Sequence, residues 1–245
     1  MRVLTAVFFA FTLSAVAAKS QAELAIVTES FPPFNYIQDG EPAGLSTEVV
    51  TQVLKTAGLD ASIDFYPWAR AYQVALNEPD TLIYSIARIP EREPLFEWIG
   101  VIAPYRTSFY KLKSAPDIQI ASLEDAKQYQ VGTSRADVIE TYLVNQGFTN
   151  LQVSGQDRLN VLMLNFGRIQ LMAYDEAAFP RLVEAEGLDI DDFERVFRIE
   201  GLSGQLYMAM QPDSDPNLIR ALKDGLDTIK ANGDYDAIHN RYFLY

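Results

Sequence analysis

The sequence predicts an α/β protein built as two lobes, each a mostly parallel sheet flanked by helices, with two hinge crossings between the lobes. Strands and helices alternate at short spacing, which is typical of parallel sheets. The alternation stops and restarts once near the middle of the chain, which indicates two sheets rather than one. The length of 245 residues suits two lobes of roughly 100 residues each.

The first set of elements has the order βαβαβ. Strands are predicted at ELAIVTE, ASIDFYPW and DTLIYSI, and helices at STEVVTQVLKTAG and ARAYQVALNEP. In the first helix Val49, Val50 and Val53 fall on one face, and Gly58 follows where a helix ends. The segment FPPFNYIQDGEPAG is rich in turn residues and is predicted to be a loop.

The second set begins with the strand TSFYKLK. Further strands are predicted at QVGTS, LQVSG, RIQLMAY and ERVFRIE, and helices at SLEDAKQY, ADVIETYLVNQG, QDRLNVLMLNFG and DEAAFPRLVEAEG. Ser122 and Asp125 have the spacing of a capping box. After an apolar run at GQLYMAMQ, the chain ends in an amphipathic helix that Asp215 caps and Pro216 begins.

The predicted organisation is a signal peptide at residues 1–22, lobe 1 at 23–109 and 206–245, and lobe 2 at 110–205. Ligands of parallel sheets bind beyond the carboxyl ends of the strands, here in a cleft between the lobes. We therefore expect the turns FPPF, YPWAR, SIARIPER, VGTSRAD and AYDE to meet at that cleft.

The N-terminus is typical of a secretory signal peptide, because Arg2 precedes an apolar run that ends in small residues. Cleavage could follow Ala17, Ala18 or Ala22. The apolar run is shorter than the roughly 20 residues of a membrane span, although an uncleaved anchor is the alternative. We predict a periplasmic protein without stable membrane insertion.

Composition excludes several classes of function. A net charge of -13 and a pI near 4.5 disfavour nucleic acid as a partner. The absence of cysteine removes thiolate metal sites and thiol nucleophiles. The single histidine, His239, is predicted to be a surface residue of the last helix. No catalytic group, metal or cofactor is predicted.

Arg92 is the first candidate for ligand binding, because it lies just beyond a buried strand and a guanidinium binds a carboxylate through two hydrogen bonds. The alternative is a surface residue paired with Glu91 or Glu93. Arg88 is a similar but weaker candidate.

Arg135 lies where a strand runs into a helix N-terminus, a place that favours anions, and Asp137 is predicted to cap that helix. Asp175 follows another buried strand and would either hold a ligand amine or cap the next helix. Among the aromatic residues, Phe34 is expected in the core.

Phe31, Trp68 and Tyr84 are better placed for ligand contact, because polar turn residues flank them.

The motifs ESFPPFNYIQDGEPAGLSTEVV, SIARIPERE, QVGTSRADVIETYL, LMAYDEAAF and ALKDGLDTIKANGDYDAIHNRYF, taken in order, resemble bacterial extracellular solute-binding proteins of family 3. The family includes the periplasmic polar amino-acid receptors of ABC importers. The resemblance covers about Leu24 to Phe243, and the closest pattern is a divergent branch with a PWARA turn and an R-x-D turn.

This resemblance implies a periplasmic-binding-protein clamshell that closes on a small solute. It implies that Arg92 grips the α-carboxylate of a ligand and that Asp175 holds its α-amine. It also implies that Phe31 lines the side-chain pocket, and it adds Tyr84 and Ser85 as residues upstream of the PER motif.

The sequence departs from the family pattern at three hydroxyl-bearing positions. Ala87 and Ile89 replace a hydroxyl residue and a threonine before PER, and residues 136–138 replace the Gly-Thr-Thr turn. Either Arg135 compensates for these losses or the ligand is another small carboxylate or polar solute.

The predicted function is that of a monomeric binding protein, not an enzyme, that delivers a small, amino-acid-like carboxylate to an ABC permease. Two alternatives stay open. One is a cyclohexadienyl dehydratase-like enzyme of the same fold, with Asp175 or Glu176 as its general acid. The other is a ligand sensor that takes no part in transport.

Overall fold

The structure is a computed structural model that describes residues 24–115 and 117–242. The predicted signal peptide, residues 1–22, lies outside the described residues. The strands are β1 (Ala25–Thr28), β2 (Tyr36–Gln38), β3 (Glu41–Ala43), β4 (Ile63–Phe65), β5 (Thr81–Ala87), β6 (Glu97–Tyr105), β7 (Thr107–Leu112), β8 (Val131–Ser134), β9 (Leu151–Ser154), β10 (Leu171–Asp175), β11 (Phe193–Arg198) and β12 (Gly204–Met210). The helices are α1 (Leu45–Ala57), α2 (Trp68–Asn77), α3 (Leu123–Ala126), α4 (Val138–Asn145), α5 (Asp157–Asn165), α6 (Ala178–Ala185), α7 (Pro216–Ala231) and α8 (Asp234–Tyr242).

The first sheet has the strand order β4-β1-β5-β12-β6. Strands β1, β4 and β5 run parallel, and β12 runs antiparallel to both β5 and β6. Helix α1 buries its valine face on this sheet, as its periodicity predicts. Helix α7 packs against α1, and a Cβ on Gly225 would stand 3.0 Å from the Val53 carbonyl oxygen, so the small residue permits close approach.

The second sheet has the order β11-β7-β10-β8-β9. Strands β8, β9 and β10 run parallel, and β7 is antiparallel to β10 and β11. The predicted fold class, two lobes with α/β sheets and flanking helices, is thereby confirmed. Each sheet has one strand that runs opposite to the other four, β12 in the first sheet and β7 in the second.

Two features of lobe 1 are absent from the sequence prediction. Strand β6 follows the SIARIPERE turn, and the predicted loop FPPFNYIQDGEPAG contains the short antiparallel pair β2 and β3. Strand β6 pairs with β12, which lies about 100 residues further along the chain. Its partner is therefore remote in sequence, and local periodicity does not indicate it.

The chain leaves the first sheet and enters the second at Arg106. Phe109 pairs with Ala173 of β10, so residues 107–109 belong to the second sheet. The prediction had placed them in lobe 1. The chain returns before Gly204, which pairs with Tyr105 of the first sheet. The lobe limits that we propose from sheet membership are accordingly a few residues earlier than the predicted limits.

Several predicted caps are confirmed. Ser122 and Asp125 form the capping box of α3, and the Asp215 carboxylate accepts the Asn217 backbone N–H at the start of α7. In the described part of the chain, no helix is long and apolar enough to cross a membrane.

His239 corrects a prediction. Its ring is half-buried rather than on the surface, with Nε2 2.9 Å from the Ile102 carbonyl oxygen. The ring also stacks on Tyr235, with 4.1 Å between the ring centroids. Burial lowers the pKa of His239, because the neutral ring is easier to desolvate than the charged one.

Candidate functional site

A cavity lies between the lobes, at the carboxyl ends of β1, β5, β8 and β10. We call it the cleft cavity. Lobe 1 contributes Glu29, Phe31, Trp68, Ser85, Ala87, Arg92, Tyr105 and Leu206 to its lining, and lobe 2 contributes Asp137, Val138, Ile139, Asp157, Tyr174 and Asp175.

Arg92 supplies the cleft cavity with a guanidinium that is only 4% exposed. Its Nη1 donates to the Ala87 carbonyl oxygen at 3.2 Å, and its Nη2 donates to the Ala136 carbonyl oxygen of the other lobe at 3.1 Å. The guanidinium also lies over the rings of Trp68 and Tyr72, at 5.4 and 5.0 Å from their centroids. Burial lowers the pKa of Arg92.

The alternative for Arg92 was a surface ion pair with a neighbouring glutamate. It is Arg88, and not Arg92, that forms such a pair. The Arg88 Nε donates to Glu93 Oε2 at 2.7 Å, and both side chains are exposed. Arg88 does not line the cleft cavity. The two arginines of the SIARIPERE turn therefore have different environments, and only Arg92 is in a position to bind a ligand in the cleft.

Four carboxyl groups line the same cavity as this single guanidinium: Glu29, Asp137, Asp157 and Asp175. Burial and the charge of Asp157 raise the pKa of Asp137 to about 7. Burial, followed by the charges of Asp157 and Asp137, raises the pKa of Glu29 well above its usual value. The raised pKa values show that burial and mutual repulsion favour the protonated form of Asp137 and Glu29, and a ligand cation between them would favour the ionised form.

These carboxyl groups differ in their hydrogen bonds. Asp157 accepts from the hydroxyl groups of Ser134 and Tyr174, the latter at 3.0 Å. Asp137 caps α4 as predicted, because its Oδ1 accepts the Ile139 N–H at 2.6 Å. Among the described residues, none donates a hydrogen bond to the Glu29 carboxylate. Glu29 is thus the carboxyl group of the cavity that is most available to a ligand.

Asp175 is largely occupied by the backbone. Its Oδ1 accepts the N–H groups of Ala177 and Ala178 at 2.8 and 3.0 Å, and its Oδ2 accepts that of Arg106 at 2.9 Å. Burial raises its pKa to about 6. These contacts agree with the second alternative for Asp175, in which its carboxylate accepts N–H groups at the start of the next helix. One lone pair of Oδ2 stays available for a ligand amine.

Phe31, Trp68 and Ser85 line the cleft cavity, but each is also engaged with protein. Phe31 packs edge-on against Tyr174, with centroids 5.7 Å apart. The Trp68 Nε1 donates to the Ala136 carbonyl oxygen at 2.9 Å. The Ser85 hydroxyl donates to Asn35 Oδ1 at 2.5 Å.

Two predicted site residues lie elsewhere. Tyr84 is fully buried beneath α1, with its hydroxyl 2.9 Å from Thr47 Oγ1. Ser85 has a φ of 60° and is the extra residue of an irregularity in the pairing of β5 with β12, so it reaches the cleft while Tyr84 stays in the core. Arg135 is exposed and does not line the cleft cavity.

Sequence reasoning missed Glu29, Asp157, Tyr105 and Tyr174 as lining residues. Glu29 directly follows β1, and Asp157 opens α5 shortly after β9. The rule that ligands bind beyond the carboxyl ends of strands could have found both of them. Tyr105 ends β6, which the sequence prediction lacks, so no local signal identifies it.

The two lobes touch across the cleft. The Ala136 carbonyl oxygen accepts hydrogen bonds from both Trp68 and Arg92, and Asn145 Nδ2 donates to Glu91 Oε1 at 2.6 Å. The described residues contain no group of three or more histidine, aspartate or glutamate side chains in an arrangement that could hold a metal ion.

The fold and the cleft define a class of protein, a two-lobed receptor that encloses a small molecule between its lobes. Within that class, the chain belongs to the bacterial extracellular solute-binding proteins, family 3, whose sequence profile matches residues 24–245. The resemblance inferred from the motifs is therefore confirmed.

The relatives include amino-acid-binding proteins. A probable histidine-binding protein of Campylobacter jejuni is 20% identical over 222 residues, which are 88% of this chain and 82% of that protein. An arginine-, lysine- and histidine-binding protein from Geobacillus stearothermophilus has a TM-score of 0.78 at 16% identity, covering 91% of this chain and 96% of that one. A histidine kinase sensor domain has a TM-score of 0.82 at 16% identity, covering 91% and 96%. At these identities the structural likeness shows the fold alone.

Proposed function

We propose that this protein is a periplasmic receptor for a small, amino-acid-like solute that carries a protonated nitrogen in addition to its carboxylate. The observation that supports this proposal is the lining of the cleft cavity, where four carboxyl groups surround one guanidinium. A ligand with one negative and two positive charges would compensate this distribution better than a neutral or acidic amino acid.

In this proposal Arg92 binds the ligand carboxylate, and Asp175 and Asp137 face its α-ammonium. The second nitrogen of the ligand lies near Glu29 and Asp157. Glu29 is suited to this contact because no described residue donates a hydrogen bond to its carboxylate. Relatives that bind histidine, arginine or lysine are consistent with a second cationic nitrogen.

The three missing hydroxyl groups are consistent with a different mode of carboxylate binding. Arg135 is exposed and does not replace them. The Arg92 guanidinium has five N–H donors, and its two bonds to carbonyl oxygens leave other N–H groups for a carboxylate.

The test is a titration by calorimetry and thermal shift with L-arginine, L-lysine, L-histidine, L-glutamine and L-glutamate. We expect a basic amino acid to bind and to raise the melting temperature, and L-glutamate to have no effect. Binding of L-glutamate in preference to all three basic amino acids would contradict the proposal.

We further propose that residues 1–22 direct export to the periplasm. The mature protein would be a monomer with lobe limits near Arg106 and Gly204. It would deliver its ligand to an ABC permease. Reconstituted permease would show ligand-dependent ATP hydrolysis only in the presence of this protein. A receptor that binds ligand but stimulates no permease would instead be a sensor.

One observation favours a second candidate, an enzyme of the cyclohexadienyl dehydratase type. Asp137 has a pKa of about 7 and faces the same cavity as Arg92, so it could protonate a leaving group of a bound carboxylate. Incubation with prephenate and arogenate separates the two candidates, because only the enzyme would release an aromatic product.

A further inference from the structure

A second and larger cavity opens to solvent beside the cleft cavity. We call it the outer chamber. Its lobe 1 wall comes from the turn between β4 and α2, with Phe65, Tyr66 and Trp68. Its lobe 2 wall includes Arg135, after β8, and Ala185, at the end of α6. The outer chamber is therefore also formed between the two lobes.

The outer chamber and the cleft cavity share part of their walls. Glu29, Trp68, Asp157 and Tyr174 line both cavities. A ligand group that lies beside Glu29 in the cleft cavity is therefore next to the outer chamber. A substituent on that group would point out of the narrower cavity and into the larger one.

The wall of the outer chamber is suited to a flat, apolar group. Three aromatic side chains follow one another closely at residues 65–68, and Leu182 and Ala185 face them from α6. The charged Arg158 is paired with Glu186, with its Nε 3.1 Å from Oε1. Aromatic walls favour planar groups through stacking and edge contacts.

We propose that the outer chamber is a second ligand subsite, and that the receptor accepts basic amino acids extended at the side-chain nitrogen by a flat, apolar group. This inference rests on the proposed function, since it uses the same orientation of the ligand. The carboxylate lies at Arg92, the side-chain nitrogen lies between Glu29 and Asp157, and the added group lies against Tyr66 and Trp68.

The experiment compares L-lysine with Nε-benzyl-L-lysine, which keeps the positive charge and adds one ring. Calorimetry on the wild-type protein is expected to give an affinity about tenfold higher for the benzyl compound. Equal or weaker binding of the benzyl compound would overturn the inference while leaving the proposed function intact. Failure of L-lysine, L-arginine and L-histidine alike to bind would instead contradict the proposed function, and the inference with it.

Variants of Ala185 locate the added ring. Ala185 is exposed at the end of α6 and lines only the outer chamber, so a larger side chain there can fill the chamber without disturbing the core. In Ala185→Trp we expect the advantage of the benzyl compound to disappear and L-lysine affinity to stay within about twofold of wild type. Ala185→Ser is the matched control and should keep the advantage.

Tyr66→Ala provides a second variant should Ala185→Trp misfold, because it shortens the opposite wall instead of filling the chamber. It should reduce the advantage of the benzyl compound several-fold and leave L-lysine binding unchanged. An advantage that survives both substitutions would place the ring outside the chamber and overturn the inference.

Discussion

At the scale of single residues, Arg92 holds a central position in the cleft. It is buried, it stacks on two aromatic rings, and it donates to a carbonyl oxygen of each lobe. A buried guanidinium needs compensating acceptors, and a ligand carboxylate would provide stronger ones than the two carbonyl oxygens do.

Replacing Arg92 with alanine should therefore weaken binding of a basic amino acid by about 10- to 100-fold, since charge-assisted hydrogen bonds contribute about 1.5–3 kcal/mol. Arg92→Lys should recover only part of the loss, because lysine lacks the paired donors. Arg88→Ala is the matched control, as its partner Glu93 is exposed. Unchanged affinity in Arg92→Ala, measured by calorimetry, would remove Arg92 from the site.

The acid-base behaviour of Asp137 predicts a pH dependence. Its pKa is raised to about 7 by burial, so the carboxyl group is neutral below pH 7 and ionised above it. Affinity for a cationic ligand should therefore rise between about pH 6 and pH 8, with release of a proton on binding. Calorimetry in buffers of different ionisation enthalpy measures the proton directly.

The raised pKa of Asp137 also makes the stability of the ligand-free protein depend on pH, but in the opposite direction to the ligand affinity. Because the folded state holds the proton more tightly than the unfolded state, stability is lost as the pH rises through about 7. Asp137→Asn should flatten both dependences and raise the melting temperature of the ligand-free protein at pH 8. A steep pH dependence of binding that persists in Asp137→Asn would assign the titration to another carboxyl group.

At the scale of elements, the turn before α1 shows how the cleft wall is held. Gly44 precedes α1 with φ of 109°, and a Cβ there would stand 2.5 Å from the Phe34 carbonyl oxygen. The contact places α1 directly behind the FPPF turn, which carries Phe31 into the cleft. Only glycine fits this arrangement.

Gly44→Ala should destabilise the protein by at least about 2 kcal/mol, since it adds both backbone strain and a steric clash. Gly58, at the other end of α1, is a matched control. Its φ is also positive, at 68°, but a Cβ there would have no neighbour within 4 Å. Gly58→Ala should cost only about 1 kcal/mol in urea denaturation, and an equal cost for the two variants would contradict the steric argument.

Asp175 links the ligand cleft to the hinge between the two sheets. Its carboxylate accepts the N–H of Arg106, the residue at which the chain passes from one sheet to the other. A ligand amine at Asp175 would therefore contact a group that also bonds the hinge backbone. This arrangement offers a direct route from ligand binding to the relative position of the lobes.

At the scale of the whole molecule, the contacts at the Ala136 carbonyl oxygen hold the two lobes together. Trp68 and Arg92 of lobe 1 both donate to this oxygen of lobe 2. Closure of a two-lobed receptor depends on contacts made only in the closed arrangement, so these bonds contribute to the equilibrium between open and closed forms.

Trp68→Phe keeps the aromatic ring but removes the bond from Nε1 to Ala136. We expect a larger radius of gyration in small-angle scattering of the ligand-free protein and a loss of affinity of about 2- to 10-fold. Trp98→Phe is the matched control, because this other tryptophan lies outside the cleft, with its Nε1 3.4 Å from the Glu93 carbonyl oxygen. Identical scattering from Trp68→Phe and wild type would show that the bond does not hold the lobes together.

The amino-acid sequence by itself determined the two α/β lobes, the capped helices and the turns that meet at the cleft, including the position of Arg92. These features depend on local periodicity, turn residues and the rule for the carboxyl ends of strands, all of which act over short stretches of chain. Asp175 and Phe31 were candidates from their places at a strand end and in a turn, the family motifs gave each an expected role, and both line the cleft cavity.

Only the tertiary structure decided the rest. It paired β6 with β12, turned Tyr84 into the core, placed Arg135 outside the cleft cavity, and brought Glu29 and Asp157 together from different lobes. Each of these outcomes depends on contacts between residues far apart in the chain. The direction in which a side chain points is decided by such packing, and so is the electrostatic character of the cleft.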